Sequence, residues 1–318
     1  METVQRRTFL KKMAMAGIAV PALAPSELWP GANSAAPAVC IFSKHLQWLE
    51  FEEMGAYVRD LGFDGIDLTV RRGGHVEPAE VVRKLPAAIR KIRKGGAGVP
   101  MMTTNISDAD DPLTAEVLET AAGEGIGYYR MDWYRYDPAL EILDNLDIFR
   151  RKMEKLAGLN EKFRIHGGYQ NHSGSYVGAS VWDVRYMLEG LDPKWTGCQF
   201  DIRHATVEGG ESWATDFRLI RNYVRSSVIK DFHWAKRDDG HWFVRNVPLG
   251  EGMVNFGTYL DLYRQYDISG PVSLHVEYDI FPVPEESLSK KEKMQIAMAA
   301  LKNDLRFLRE ALLKAGIR

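Results

Sequence analysis

Phe51-Glu52-Glu53-Met54-Gly55-Ala56-Tyr57-Val58-Arg59-Asp60-Leu61-Gly62-Phe63-Asp64-Gly65-Ile66-Asp67-Leu68 holds one complete helix-to-strand joint. Met54, Tyr57, Val58 and Leu61 recur three or four residues apart, which predicts a helix with one apolar face. Gly62 stands where a helix ends in the left-handed conformation that glycine adopts without steric cost. Gly65–Leu68 then reads as a short strand. The same alternation extends in both directions. Further strands are expected at Val39–Phe42, Val99–Thr104, Tyr128–Asp132, Arg164–Gln170, Cys198–Asp201, Ser227–Lys230 and Val272–Glu277. Eight strands separated by helical segments are the number that closes a (β/α)8 TIM barrel, an α/β fold. The competing fold is an open doubly wound sheet. It lacks support because no Gly-x-Gly-x-x-Gly follows the first strand, so no nucleotide cofactor is expected. The final helix is framed by Ser289 and Glu292 as a capping box and ended by Gly316. Its stripe of Met294, Met298, Leu301, Leu305, Leu308 and Leu312 is wall packing.

The chain has 318 residues, 45% hydrophobic and 26% charged, which excludes wholesale disorder and allows a large core. A formal net charge of −2 gives no electrostatic reason for nucleic acid or anionic membrane as a partner. Cys40 and Cys198 stand in apolar runs and read as buried small hydrophobes; without a CxxC pair they cannot build a zinc site alone. Residues 1–38 read as an address. Arg6-Arg7, then Thr8-Phe9-Leu10-Lys11, then the apolar run from Met13 to Ala24, resemble a twin-arginine signal, although Gln5 stands where Ser or Thr is usual. Ala36-Pro37-Ala38 offers cleavage before Val39. The expectation is a periplasmic or otherwise exported protein with no stable membrane insertion after cleavage; a plain signal or an uncleaved anchor is the alternative reading. Residues 39–318 form a single domain, for which a homo-oligomer is compatible.

In a barrel, chemistry gathers at the C-terminal ends of the strands. Strand five ends in Gln170-Asn171-His172-Ser173, strand six in Gln199-Phe200-Asp201-Ile202-Arg203-His204, strand seven in Lys230-Asp231-Phe232-His233-Trp234, and strand eight in His275-Val276-Glu277. Alternation puts Asp201 and Glu277 on inward faces as a pair of carboxylates. Two carboxylates with imidazole and amide oxygens suit one divalent metal: Mn2+, Mg2+ or Zn2+. The candidate ligands are Gln170, Asp201, His233 and Glu277. Each of these residues also has a structural reading as a cap, an ion pair or a core histidine. Lys230 at an inward strand end has to be paired or functional, because an unpaired buried ammonium is costly. The candidate catalytic set is Glu277, Lys230, His204 and His275; His172, Trp234 and Asn171 are candidates for binding substrate. Trp133 and Trp213 lie near the same rim. Arg71-Arg72-Gly73-Gly74 reads as a solvated turn.

With these residues the sequence resembles the sugar phosphate isomerase/epimerase superfamily, the xylose isomerase-like barrels that include hexulose 3-epimerases, inosose dehydratases and endonuclease IV. Gly62-Phe63-Asp64-Gly65-Ile66-Asp67-Leu68 is similar to its second strand and Lys230-Asp231-Phe232 to its strand-seven motif. Val247-Pro248-Leu249-Gly250-Glu251-Gly252 and Val254-Asn255-Phe256 are similar to its Gly-x-Gly segment, and His275-Val276-Glu277-Tyr278 to its last strand. The resemblance implies a metal set of Glu, Asp, His and Glu on strands five to eight. Asp201 and Glu277 match it. Gln170 replaces the first Glu, and Val228 replaces the His. The lost carboxylate puts two-base proton transfer in doubt. The implied activity is that of an isomerase or epimerase on a small-molecule carbohydrate, a non-phosphorylated sugar or keto-sugar, by proton abstraction beside a carbonyl. A lyase or dehydratase acting on a keto-glycoside and a catalytically inactive carbohydrate-binding barrel are the alternatives.

Overall fold

The computed structural model describes residues 36–318; the segment 1–38, expected from sequence to be a twin-arginine-type signal, lies outside the described residues except for its last three positions. Ala35–Arg318 form one compact unit. Eight parallel strands close a barrel. They are β1 (Val39–Phe42), β2 (Gly65–Val70), β3 (Gly98–Thr104), β4 (Tyr128–Arg130), β5 (His166–Gln170), β6 (Thr196–Asp201), β7 (Val224–Ile229) and β10 (Val272–Leu274). Each pairs with the next in sequence order, and β10 closes the ring on β1 through Val39↔Val272 and Ile41↔Leu274. The expected barrel is therefore present. The strands around Lys230 and Glu277 are shorter at their C-terminal ends than the sequence suggested, which leaves both residues in the loops that follow.

Around the barrel run α1 (Phe51–Leu61), α2 (Val81–Gly95), α3 (Pro112–Gly123), α4 (Ile142–Phe163), α5 (Val181–Leu188), α6 (Ile202–Gly209), α7 (Trp213–Ile220), α8 (Phe256–Gln265) and α9 (Lys290–Lys314). In α1 the expected face is buried, and Gly62 caps it at φ 93°. In α9 the Ser289–Glu292 capping box is formed, and Leu301, Leu305, Leu308 and Leu312 are buried. The apolar core lies between strands and helices, with Ile41, Ile66, Leu68 and Phe200 among its fully buried members. Alternate strand residues point the other way, into the barrel. There Asp67, Gln170, Gln199, Asp201 and Ser273 are buried polar groups. Cys40 and Cys198 are buried and free, as expected.

One element was not anticipated. Directly after β7, Asp231–Lys236 (β8) and Trp242–Val247 (β9) form an antiparallel hairpin outside the barrel sheet. Asp231 anchors its return. One carboxylate oxygen accepts the N–H groups of Phe232 (2.8 Å) and Val254 (3.2 Å), the other those of Gly250 and Gly252 (both 3.0 Å). Four donors on one buried carboxylate fix the Pro248–Val254 loop beside the barrel mouth. Among the described residues no helix is long and apolar enough to cross a membrane.

Candidate active site

The end of β6 organises the site. Asp201 caps α6, accepting the His204 N–H on Oδ1 at 3.0 Å. Its other oxygen accepts from Gln170 Nε2 at 2.7 Å and lies 3.1 Å from Lys230 Nζ. Asn171 binds the Asp201 backbone twice, donating to its carbonyl (3.0 Å) and accepting its N–H (2.8 Å). Asn171 thus locks β5 to β6.

Lys230, the single residue between β7 and the hairpin, sends its ammonium into the middle of this group. Nζ lies 2.8 Å from His204 Nε2, 3.1 Å from Asp201 Oδ2 and 3.4 Å from Glu277 Oε1. Lys230 is 3% exposed and Asp201 fully buried, whereas the Glu277 side chain keeps 34% of its surface exposed. The Lys230 charge beside Glu277 holds that carboxyl well below the usual carboxylate range. Lys230 thus engages both carboxylates at once.

An imidazole wall completes the rim. Burial, then the Lys230 charge, push the His204 pKa well below the usual histidine range, so the ring is neutral. Each ring nitrogen faces a cationic donor, Nε2 the Lys230 ammonium at 2.8 Å and Nδ1 the Arg203 Nη1 at 2.9 Å, and Ser173 Oγ lies 2.7 Å from Nδ1. Ser173 also receives Arg203 Nη1 at 3.3 Å. His172 packs on His204 with ring centroids 4.0 Å apart and on Trp133 at 4.5 Å. Its pKa is lowered to about 4, chiefly by burial, so it too is neutral at physiological pH. His275 stacks on Phe42 at 4.1 Å and reaches within 3.7 Å of Glu277 Oε1.

The anticipated metal ligands do not all meet. Gln170, Asp201 and Glu277 share the site, but His233 sits on the hairpin opposite Arg245 and does not join them. The reason is local: β7 ends at Ile229, and the chain turns outward from Asp231, carrying His233 and the 41%-exposed Trp234 with it. Gln170 presents its amide N–H to Asp201, while its oxygen faces Arg130 Nη1 at 3.3 Å, so its lone pairs are aimed away from the carboxylates. Val228 has no donor atom. No cluster of three or more His, Cys, Asp or Glu suited to a metal exists among the described residues. The donor set does not fit a divalent cation, because Lys230 already places a cation between the two carboxylates.

Other residues at the mouth were not singled out by sequence. Asp67 accepts from Thr103 Oγ1 (2.9 Å) and Ser273 Oγ (2.7 Å), which ties β2, β3 and β10 together inside the barrel. Arg203 Nη2 donates to Asn246 Oδ1 at 2.6 Å, and Asn246 donates to the Glu277 carbonyl at 3.2 Å, so the hairpin is fastened over the site. Parity along β2 and β6 was the available signal for Asp67 and Arg203. Asn246 had none, since its approach depends on the hairpin. A cavity of about 710 Å³ is lined by Lys44, His45, Trp48, Phe281 and the sequence neighbours of Glu277, Val276 and Tyr278, among others. Trp213 packs into the core instead of the rim.

A sequence profile of the family described as "Xylose isomerase-like TIM barrel" matches residues 55–310. No curated protein matches the chain in sequence. Similar solved structures include a 3-keto-D-glucoside 4-epimerase from E. coli, at 14% identity and TM-score 0.63, covering 86% of this chain and 99% of that one. A probable 3-DHS dehydratase from Bacillus anthracis aligns at 15% identity and TM-score 0.61, covering 85% and 98%. A xylose isomerase-like TIM barrel protein from Mycobacterium smegmatis, solved with magnesium, aligns at 14% and 0.61, covering 87% and 98%. At these identities the likeness is one of fold.

Proposed function

The chain belongs to the xylose isomerase-like TIM barrel family, and from that premise we propose that it is an exported sugar isomerase- or epimerase-like enzyme. Its substrate is a non-phosphorylated sugar or keto-sugar, and the reaction begins with proton abstraction beside a carbonyl. The observation that carries this reading is Lys230 Nζ, held at 3.1 and 3.4 Å from two carboxylates at the barrel mouth. Such an ammonium is placed to donate a hydrogen bond to a substrate carbonyl oxygen and to stabilise the negative charge that grows there. No step is assigned to a metal.

Glu277 is the proton acceptor in this scheme, since it alone of the two carboxylates reaches solvent. Its low pKa in the free site makes it a weak base, and the cause suggests the remedy. When a substrate oxygen takes a Lys230 N–H, the ion pair loosens and the Glu277 pKa climbs towards the ordinary carboxylate value. Gln170 cannot accept a proton on the other side. That favours chemistry with one carboxylate, namely isomerisation through an enediolate. The second reading, elimination from a keto-glycoside by a lyase or dehydratase, is favoured by the same Gln170. Protonated Glu277 then returns the proton, to the neighbouring carbon in the first reading and to the leaving group in the second.

The test is a screen of ketoses, aldoses and 3-keto-glycosides with the mature protein in D2O. Deuterium should enter a sugar carbon, and Glu277→Gln should reduce turnover by about 10³-fold or more while leaving the melting temperature within a few degrees. Tight sugar binding without exchange or product would instead identify a binding barrel.

A further inference from the structure

Among the described residues, Arg71 and Arg130 at the mouth have no carboxylate in contact. Arg130, at the end of β4, is 2% exposed. Nη1 donates to the Gln170 amide oxygen at 3.3 Å and Nη2 to the Thr104 carbonyl at 3.2 Å; both acceptors are neutral. Its Nε has no partner, and its plane lies 4.1 Å from the Trp133 ring. Arg71 directly follows β2 and has the same parity as inward-facing Asp67. Its guanidinium lies 5.6 Å over Phe42, the ring that stacks on His275. Its side chain makes no hydrogen bond or ion pair among the described residues.

The two arginines stand at inward-parity positions two strands apart. Thr69 pairs with Thr103 and Thr103 with Arg130, so β3 alone separates their strands. Two strand spacings are about 10 Å, a gap that two arginine side chains close easily. The Arg71 charge is close enough to contribute to lowering the Arg130 pKa to about 10, after the larger effect of burial. A buried guanidinium is retained at a cost of several kcal/mol unless an anion meets it. The nearby acids do not. Asp67 is held by Thr103 and Ser273, and Asp132 by Asn105 and the Trp133 N–H.

We propose that Arg71 and Arg130 form a subsite for a carboxylate carried by the substrate, which makes that substrate a sugar acid; this rests on the carbohydrate reading above. A planar carboxylate matches the guanidinium fork. A phosphate does not match this corner. The N–H groups of the Arg71–Gly74 turn are already spent, Arg72 on Asn105 Oδ1, Gly73 on Glu77 Oε1 and Gly74 on the Arg71 carbonyl. Asp67, Asp132 and Glu277 around the mouth would also repel a dianion more strongly than a monoanion. The carboxylate anchors one end of the sugar beside β2 and β4, and its carbonyl end reaches Lys230 and Glu277.

Isothermal titration of the mature protein with matched sugars tests this. D-glucose, D-glucuronate and D-glucose 6-phosphate form one set, and D-galactose with D-galacturonate a second. A uronate is expected to bind about tenfold or more tightly than its neutral partner, with the phosphate no tighter than the neutral sugar. Arg71→Met, on the more open side of the mouth, and Arg130→Lys, which keeps the buried charge, should each collapse the uronate-to-neutral ratio to about threefold or less. Equal binding of uronate and neutral sugar overturns the subsite and leaves the carbohydrate reading intact. Preference for the phosphate, or a ratio unchanged in both variants, overturns it too. Binding of none of the five sugars removes the carbohydrate reading, and the subsite with it.

Discussion

Lys230 explains two departures that look like losses in the sequence. Val228 and Gln170 stand where the family resemblance implies a histidine and a carboxylate, yet the site keeps a cation, supplied by the chain itself at 3.1 Å from Asp201. That Lys230 is paired or functional was legible from burial cost alone. Its simultaneous hold on His204, Asp201 and Glu277 was not, since it depends on where β7 stops. Arg130 did leave a trace, an inward-parity arginine at the end of a short apolar strand. Lys230→Met should strip two carboxylates of their counter-charge. Removing one partner of a buried pair costs about 3–5 kcal/mol, and turnover should fall by about 10³-fold. The double variant Lys230→Met/Glu277→Gln should be less destabilised than the sum of the two single changes, as read by urea denaturation. Additive losses would mean that the contact carries no coupling.

At the scale of elements, the eight barrel strands were readable because each is a short apolar or β-rich run bounded by a helix cap, as Gly62 shows. The hairpin was not read, although Asp239-Gly240 is a turn signal between two runs that pair residue for residue. It mattered, because it moves His233 and Trp234 out of the site and brings Asn246 in. The hairpin's return rests on Asp231 and on the missing side chain of Gly252. A Cβ there would lie 2.1 Å from Asp231 Oδ1 and 2.4 Å from the Phe232 carbonyl. Gly252→Ala should therefore displace the Pro248–Val254 loop, costing about 1–3 kcal/mol through lost N–H contacts to a buried carboxylate. Limited proteolysis should show faster cutting within that loop. An unchanged cleavage rate and melting temperature would show that the loop is held by something other than Asp231.

Over the whole molecule, the buried histidines set how stability responds to acid. Burial is the first cause in each: it lowers His45 to about 3 and both His166 and His172 to about 4, lowers His75, and takes His204 far down. These rings are neutral in the native state and take up protons on unfolding once the pH is below about 6.5. Their contribution is complete above that value and is lost as pH falls towards the folded values. Glu277 adds to the loss below about pH 4.5, because its folded pKa is depressed. Asp304, raised to about 6 by burial, and Asp216, also raised, act in the opposite sense, since their neutral forms favour the native state as pH falls. The histidines outnumber them, so around pH 5 the unfolded chain binds on the order of three more protons than the native one, a slope of roughly 4 kcal/mol per pH unit. For a domain of this size that is a fall of about 10 °C in melting temperature between pH 7 and pH 5. Scanning calorimetry across that range checks it. A melting temperature constant to within about 2 °C would mean that these buried rings are protonated in the folded protein, and with that the neutral state of His204 and His172 beside Lys230 would go.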